Sequence, residues 1–539
     1  MAHILLDHLP GLMSPLGIVL IVSACFFLFY LIESLILTVP YPPGVPLIRE
    51  PEGAIRFSLR TRVAYFTNCE ALYREAYTEY AKKGKIVVVP GFGFRSEVIM
   101  PQSSMKWFLA QPDDALDTSQ AFVDIDQVRW SLGHEKVVAD AYQAMVVKTD
   151  LNRVLENICA AMNNELSVVF DEQFGTDTEN WKEVDLLPAV KIIVAQAASR
   201  FTVGLPLCRD KDYLRTALDI NQRLVINAGA TGGAPRLLQP LIGTLLNIPT
   251  RRLLAKTNKW FLPLWKQRLE TLAFDCDDPD HDEPQDQLQM IIRYAQRERQ
   301  HELHDYDIML RRLAAINFGS MHLTQFQVTN LILNVLGSDA EFNTIAVLRD
   351  EIDRILGQDE SAEWTKAKVS QMTRADSVGR ETLRLHSFGA RSGFRKVMTS
   401  NFKTPDGYHL PKGTLLSFLS QPAHVDAETV DEPLKFDPFR FSRLRELAAS
   451  RNENAPPVTL VSTSPEFMPF GHGKHACPGR FLIDFEFKMI LAYVLRNYDI
   501  AFPNEYNGKR PPNVWLAEAI FPPEGVKIVV KRRASKGGI

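Results

Sequence analysis

The amino-acid sequence predicts a mainly α-helical protein with a smaller β region, carried behind one N-terminal transmembrane helix. Three observations point there. Leu16 to Leu37 is a nearly continuous apolar run, broken mainly by Glu33 and two serines. Helical spacing of apolar residues recurs along the rest of the chain, and its longest stretch is Ile308 to Leu336. Strand-like runs are short: Ile86 to Val89, Phe394 to Met398, and an alternation of strands and turns over Tyr498 to Lys531.

The apolar run would span roughly 33 Å as a helix, enough for a bilayer core. No Lys or Arg precedes it, and no clear small-residue cleavage site follows, so an anchor fits better than a cleaved signal peptide. The first basic residues, Arg49, Arg56, Arg60 and Arg62, all come after it, which puts the bulk of the chain on the cytosolic side. Pro40, Pro42, Pro43 and Pro46 make a stiff, non-helical exit. The expected division is a membrane anchor over residues 1–39 and one catalytic domain over 40–539. No internal repeat or low-complexity linker divides the latter. Among 539 residues, 61 basic and 64 acidic side chains leave almost no net charge, which excludes a nucleic-acid partner. Six scattered cysteines without paired spacing exclude a disulfide framework and suit a reducing compartment.

Helices are expected over Cys69–Lys83, Val138–Phe170, Asp185–Thr202 with Asp185 as a cap, and Asp212–Ala228. Lys148 and Arg153 fall on a solvated face of the second. The acidic stretch Asp275 to Asp286 carries Pro279 and Pro284 and reads as an exposed loop. Ile308 to Leu336 is apolar on more than one side and therefore interior, with Gly319 and Ser320 interrupting it. Glu381 and Arg384 share a helix face at i, i+3.

The chemistry centres on Phe470-Gly471-His472-Gly473-Lys474-His475-Ala476-Cys477-Pro478-Gly479-Arg480. Gly473 can take the left-handed conformation of a tight turn. Pro478 suits a first helical position. Arg480 to Leu495 reads as helix, with Phe481, Phe485, Met489 and Ala492 near one face. Cys477 thus sits where unpaired N–H groups favour an anionic sulfur, and Gly479 lets something large and flat approach.

This stretch resembles the haem-binding loop of the cytochrome P-450 family, Phe-x-x-Gly-x-(Arg/His)-x-Cys-x-Gly, with Phe470, Gly473, His475, Cys477 and Gly479 at its fixed positions. His475, Pro478 and Arg480-Phe481 look like filamentous-fungal members. The resemblance implies the P-450 fold and haem (iron protoporphyrin IX) with Cys477 as axial thiolate and metal ligand. It implies Phe470 shielding the loop, Arg395 and His475 holding propionates, and Lys474 and Arg480 near the electron-transfer contact. Glu381, Arg384 and Arg440 match the family's buried charge network. Gly319-Ser320-Met321-His322-Leu323-Thr324 matches the central-helix run Ala/Gly-Gly-x-(Asp/Glu)-Thr-Thr, but His322 replaces the acid and Leu323 the first threonine. His322 and Thr324 are therefore the candidate catalytic residues for proton delivery. The family's Trp-x-x-x-Arg is also absent, since Trp130 is followed by His134.

What the resemblance implies functionally is a monooxygenase single-pass in the endoplasmic reticulum membrane, its catalytic domain cytosolic. It would take electrons from NADPH through a separate reductase and oxidise a lipophilic small molecule, of terpenoid or polyketide type, in secondary metabolism. The alternatives are a haem-thiolate isomerase, dehydratase or ring-rearranging enzyme, and a non-catalytic haem-binding protein.

Overall fold

The computed structural model of the chain describes residues 14–33, 39–273, 283–357, 364–454 and 458–534. Pro15–Ile32 forms one helix of 18 residues. Ser14 caps it, its hydroxyl oxygen accepting the Gly17 N–H at 3.0 Å, and Pro15 takes the first position. The helix is long and apolar enough to cross a membrane, and its leucines, valines and phenylalanines are exposed. Its far end meets the rest of the chain. Glu33 is buried and accepts the Arg236 backbone N–H at 2.7 Å, and the Arg236 guanidinium lies 3.2 Å away. The Tyr30 ring stands edge-on to Phe94 at 4.5 Å. Residues 34–38, the end of the expected apolar run, lie outside the described residues, and the prolines that follow keep the chain non-helical until Leu59.

The expected strand near residue 86 is Val87–Pro90. It pairs antiparallel with Ser96–Ile99, which runs parallel to Leu415–Leu419. That strand pairs antiparallel with Arg391–Val397, and Leu116–Asp117 completes the five-stranded sheet. Smaller sheets pair Lys527–Arg532 with Lys182–Asp185 and Tyr498–Ala501, and Val514–Leu516 with Ala519–Phe521. Around the five-stranded sheet, Val88, Ile99, Leu416 and Phe418 anchor one core cluster. A larger cluster lies among the helices, around Phe170, Ile193, Leu331 and Met489. Burying such side chains contributes about 1.5–3 kcal/mol each.

The helices run mostly as expected, with shifted ends. Val138–Phe170 becomes Tyr142–Phe174, preceded by a separate turn at Lys136–Ala139. Lys148 and Arg153 are exposed on it. Asp185 stands at the cap position of Leu186–Thr202 but makes no capping bond. Lys211–Gly233 is capped instead by Asp210, which accepts the Tyr213 N–H at 2.8 Å. The sequence reading missed a helix of 32 residues, Gln239–Glu270, which carries Pro249 and Pro263 in its interior. Proline removes a helix hydrogen bond and clashes with the preceding turn, so pattern reading avoids such stretches. Most of the acidic loop, residues 274–282, lies outside the described residues.

The long interior pattern is a helix in three parts: Tyr306–Asn317, a π-helical turn at Phe318–His322, and Leu323–Phe342. The helix Thr373–His386 carries the charge network. Glu381, fully buried, receives Arg384 through two contacts of 2.7 Å and the Arg440 guanidinium at 3.2 Å. Glu351, which with Arg354 has the same Glu-x-x-Arg spacing, does something else, accepting the N–H groups of Arg374 and Ala375 to cap that same helix.

Arg384→Ala should cost about 3–5 kcal/mol in urea unfolding, because Glu381 would stay buried with less compensation. A loss below 1 kcal/mol would show the network to be dispensable. A second expectation concerns acid. His424 is buried, and its Nε2 accepts the Met468 N–H at 2.9 Å. Burial, helped by Arg384, lowers its pKa from 6.5 to about 3. The unfolded chain then takes up a proton below about 6.5 that the folded chain refuses, so stability is full above that pH and falls as pH drops. The component should reach about 2 kcal/mol at pH 5 relative to pH 7. In His424→Gln, whose side-chain oxygen can accept the same N–H, that part of the slope should vanish, as read from unfolding midpoints across pH.

Candidate active site

The loop around Cys477 is closed by its own backbone. The Cys477 N–H donates to the Phe470 carbonyl at 2.7 Å. Gly471 and Gly473 both sit at positive φ, 71° and 72°, where a side chain would be strained. A Cβ on Gly473 would also press on Leu109 at 3.0 Å. A short turn, Gly473–His475, leads into Cys477, and the helix begins at Arg480. Pro478 therefore precedes the helix and is not its first residue as expected. It lies in a turn, and Gly479 takes the cap position. Phe485, Met489 and Ala492 are buried on this helix, but Phe481 is exposed under the Arg480 guanidinium, 4.3 Å from its ring centre.

Burial raises the Cys477 thiol, while hydrogen bonds from the Gly479 and Arg480 N–H groups and the Arg480 charge pull it back. A sulfur so surrounded is suited to hold negative charge once a cation binds it. Gly479 keeps the approach clear: a Cβ there would meet no atom nearer than the Cys477 sulfur, at 4.0 Å. Phe470 is half-buried beside the loop.

Arg395 reaches this region from the strand Arg391–Val397. A bulge between Ser392 and Arg395, with Gly393 at positive φ, re-aims the end of the strand. Arg395 is 4% exposed and stacks over Phe108, and its one side-chain bond among the described residues goes to the Phe394 carbonyl at 2.9 Å. Among the described residues no carboxylate lies at ion-pair distance of it, and burial lowers its pKa to about 10. His475 lies near enough for the Arg395 charge, after burial, to lower its imidazole pKa. His475 Nε2 and Lys474 Nζ meet the same Asp113 oxygen at 3.1 and 3.0 Å. A half-buried sulfur, an open flat approach and a buried cation short of an acid fit a haem with its acidic edge toward Arg395 and His475. Trp130 packs against Gly243, and His134 is exposed. Lys474 is exposed, whereas Arg480 folds back, donating to the Cys477 carbonyl at 2.9 Å.

On the central helix, Gly319 and Leu323 are one turn apart and both open. A Cβ on Gly319 would meet nothing within 4 Å, and Leu323 is 40% exposed inside an otherwise buried helix. Ser320 donates its hydroxyl to the Ile316 carbonyl at 2.9 Å. His322 and Thr324 are not brought together, since residues two apart point to different sides of a helix. Thr324 is buried. His322 lies between rings, stacked on Phe318 at 5.2 Å and edge-on to Phe326 at 5.2 Å. Its Nδ1 is 3.4 Å from the Gln325 amide nitrogen. Burial, with Lys191 adding to it, lowers its pKa to about 4, so the ring is neutral at pH 7.

The sequence reading missed what continues from there. Phe326 stacks on Phe388 at 5.8 Å, and Phe521 stands edge-on to both. These rings come from the central helix, the loop before Arg391 and the C-terminal hairpin, and all three are only half-buried. Phe326 had a signal, four residues from His322. Phe388 and Phe521 had none, because only the fold brings them together.

A sequence model of the cytochrome P450 family matches residues 130–530. The chain is 50% identical over 507 residues to the cytochrome P450 monooxygenase pbrC of Penicillium brasilianum, covering 94% of this chain and 95% of that one. It is 48% identical to astC of Aspergillus terreus over 97% of both chains. It is 44% identical to tenB of Beauveria bassiana over 92% of this chain and 93% of that one. Both are also named cytochrome P450 monooxygenases. With matches of this depth over nearly its whole length, the chain belongs to the cytochrome P450 family, and it is a monooxygenase whose haem iron takes a cysteine thiolate as axial ligand.

Proposed function

We propose that Cys477 is that ligand, in an enzyme anchored by residues 1–39 to the endoplasmic reticulum membrane with residues 40–539 as its cytosolic catalytic domain. It oxidises a lipophilic small molecule of terpenoid or polyketide type in secondary metabolism, with electrons from NADPH delivered by a separate reductase. The observation that carries the reading is the Cys477 sulfur, backed by two N–H groups and the Arg480 charge. The fungal P450 monooxygenases that match the whole chain support it, as does the apolar helix at its start.

When bound, haem supplies the reductive splitting of O2 and the transfer of one oxygen atom to the substrate. The chain's own residues do the rest. Arg395 would neutralise the acidic edge of the cofactor, His475, whose pKa burial and the Arg395 charge lower, would offer it a hydrogen bond, Phe470 would screen the sulfur from water, and Gly473 and Gly479 give the loop its shape. Gly319 would leave room beside the bound cofactor, and Leu323 would give that space an apolar wall. Phe326, Phe388 and Phe521 offer the substrate flat apolar surface. His322, neutral in its aromatic sleeve, handles a proton by taking it at one ring nitrogen and releasing it from the other. Thr324, buried on another side of the helix, joins that path only through ordered water, and the Ser320 hydroxyl is committed to the Ile316 carbonyl. Lys474 is the exposed cation nearest the ligand loop for meeting the reductase.

The reduced protein with carbon monoxide should show the red-shifted band of thiolate-ligated haem, and Cys477→Ser should lose it; a shifted band that survives the substitution overturns the assignment. Leu323→Thr should change the ratio of product formed to NADPH consumed, because it restores a hydroxyl where the wall is apolar. If rate, ratio and product all match the parent, Leu323 has no part in the chemistry.

A further inference from the structure

The π turn is held from outside the helix that contains it. Asn221, on the helix Lys211–Gly233, is buried, and its Nδ2 donates to the Asn317 carbonyl at 3.2 Å. The same nitrogen lies 3.9 Å from the Met321 sulfur. Asn317 is the last residue before the π turn, and its own Nδ2 donates to the Tyr213 hydroxyl at 3.3 Å. Tyr213 lies two turns before Asn221 on the same helix. The preceding carbonyl, Ile316, takes the Ser320 hydroxyl. Both carbonyls that lead into the widened turn thus receive a side-chain donor. That is what the geometry asks for, since a π turn shifts the backbone ladder by one residue and disturbs its pairing where it begins.

The asparagine is not there for packing. The side-chain oxygens of Asn221 and Asn317 are both buried and meet no donor among the described residues, a costly arrangement that an apolar side chain would avoid. What the amide adds is a directed bond to one carbonyl. We propose that Asn221 is a positioning residue: it fixes the π turn, and so the open Gly319–Leu323 face, to the helix Lys211–Gly233. A ligand that displaces this helix then moves the space above the haem with it. The far end of the same helix is packed closely on another loop. Its Gly232 carbonyl would lie 2.2 Å from a Cβ on Gly93, in the loop where Phe94 meets the membrane anchor.

The inference rests on the haem-thiolate reading, and the test separates the two. Full-length, membrane-bound Asn221→Ala and Asn221→Asp are compared with the parent by optical titration of the ferric protein with imidazole, and by the fraction of NADPH electrons recovered in product. Aspartate keeps the shape but turns an acceptor toward the carbonyl. Both variants should load haem and keep the shifted carbon monoxide band. Their imidazole dissociation constants should move about three- to tenfold, the size expected of one buried hydrogen bond, with aspartate the larger. Thr216→Val is the control for simple loosening of the same helix, because the Thr216 hydroxyl bonds only within it, to the Asp212 carbonyl. It should lower the melting temperature without moving the imidazole constant. Unchanged imidazole binding in both Asn221 variants, an equal change in Thr216→Val, or loss of haem from both variants each overturns the proposal. A parent without the shifted band would instead overturn the haem-thiolate reading.

Discussion

The fold depends on the charges of one short helix, Thr373–His386. Glu381 cannot stay ionised in a dry interior without cations at hand, and Arg384 and Arg440 supply them. Arg384 in turn donates to the carbonyls of His424, Pro433 and Lys435, and Glu381 accepts the Asp437 N–H. One turn earlier, Arg380 donates to the carbonyls of Thr459 and Ser462 at 2.6 and 2.8 Å. Asp376 takes the Leu460 N–H and the side chains of Arg445 and Lys488. Outside the helix Arg440–Ser450, the described residues between 425 and 462 have little regular structure, so their backbone groups must find partners elsewhere. This helix provides them.

That arrangement positions the site. His424, held by Arg384, accepts the Met468 N–H, two residues before the Phe470 carbonyl that closes the Cys477 loop. From the other side, Lys488 ties the helix after Cys477 to Asp376. The loop that presents the sulfur is therefore fixed at both ends by one buried ionic system. A ligand loop built mainly of turns gains little from packing, and its precision has to come from directed bonds of this kind.

What the sequence made legible follows from how local each signal is. The Cys477 loop, the Glu381–Arg384 pair and the N-terminal apolar helix are written in contiguous residues, and each appears where it was expected. Contact across the fold was not legible. The resemblance put Arg395 and His475 at one cofactor edge but did not show the bulge that aims Arg395 there, and nothing near Phe388 or Phe521 foretold their meeting over Phe326. The helix Gln239–Glu270 was lost to its own prolines, whose local cost the tertiary packing of Phe261 and Trp265 outweighs. Pro478 was misplaced by two residues because a proline before Gly-Arg suits a turn as well as a helix start. Lys474 and Arg480 looked alike as surface cations, yet only Lys474 faces outward.

The departure at His322 and Leu323 changes meaning once the surroundings are visible. An imidazole with its ordinary pKa would be an acid near neutral pH. Inside the rings of Phe318 and Phe326 the charged form loses its hydration, and at a pKa near 4 only about one ring in a thousand is charged at pH 7. The position has therefore kept a hydrogen-bonding group while giving up a standing charge. Leu323, beside it, has given up the hydrogen bond as well. Together they leave the space above the central helix less polar than an acid and an alcohol would make it. Such a wall weakens the hold on water and strengthens the hold on an apolar ligand, since a water there has lost the partner that an alcohol at Leu323 would give. The loss of the alcohol at Leu323 thus favours a drier surface, and the half-buried rings of Phe326, Phe388 and Phe521 extend it toward the C-terminal hairpin.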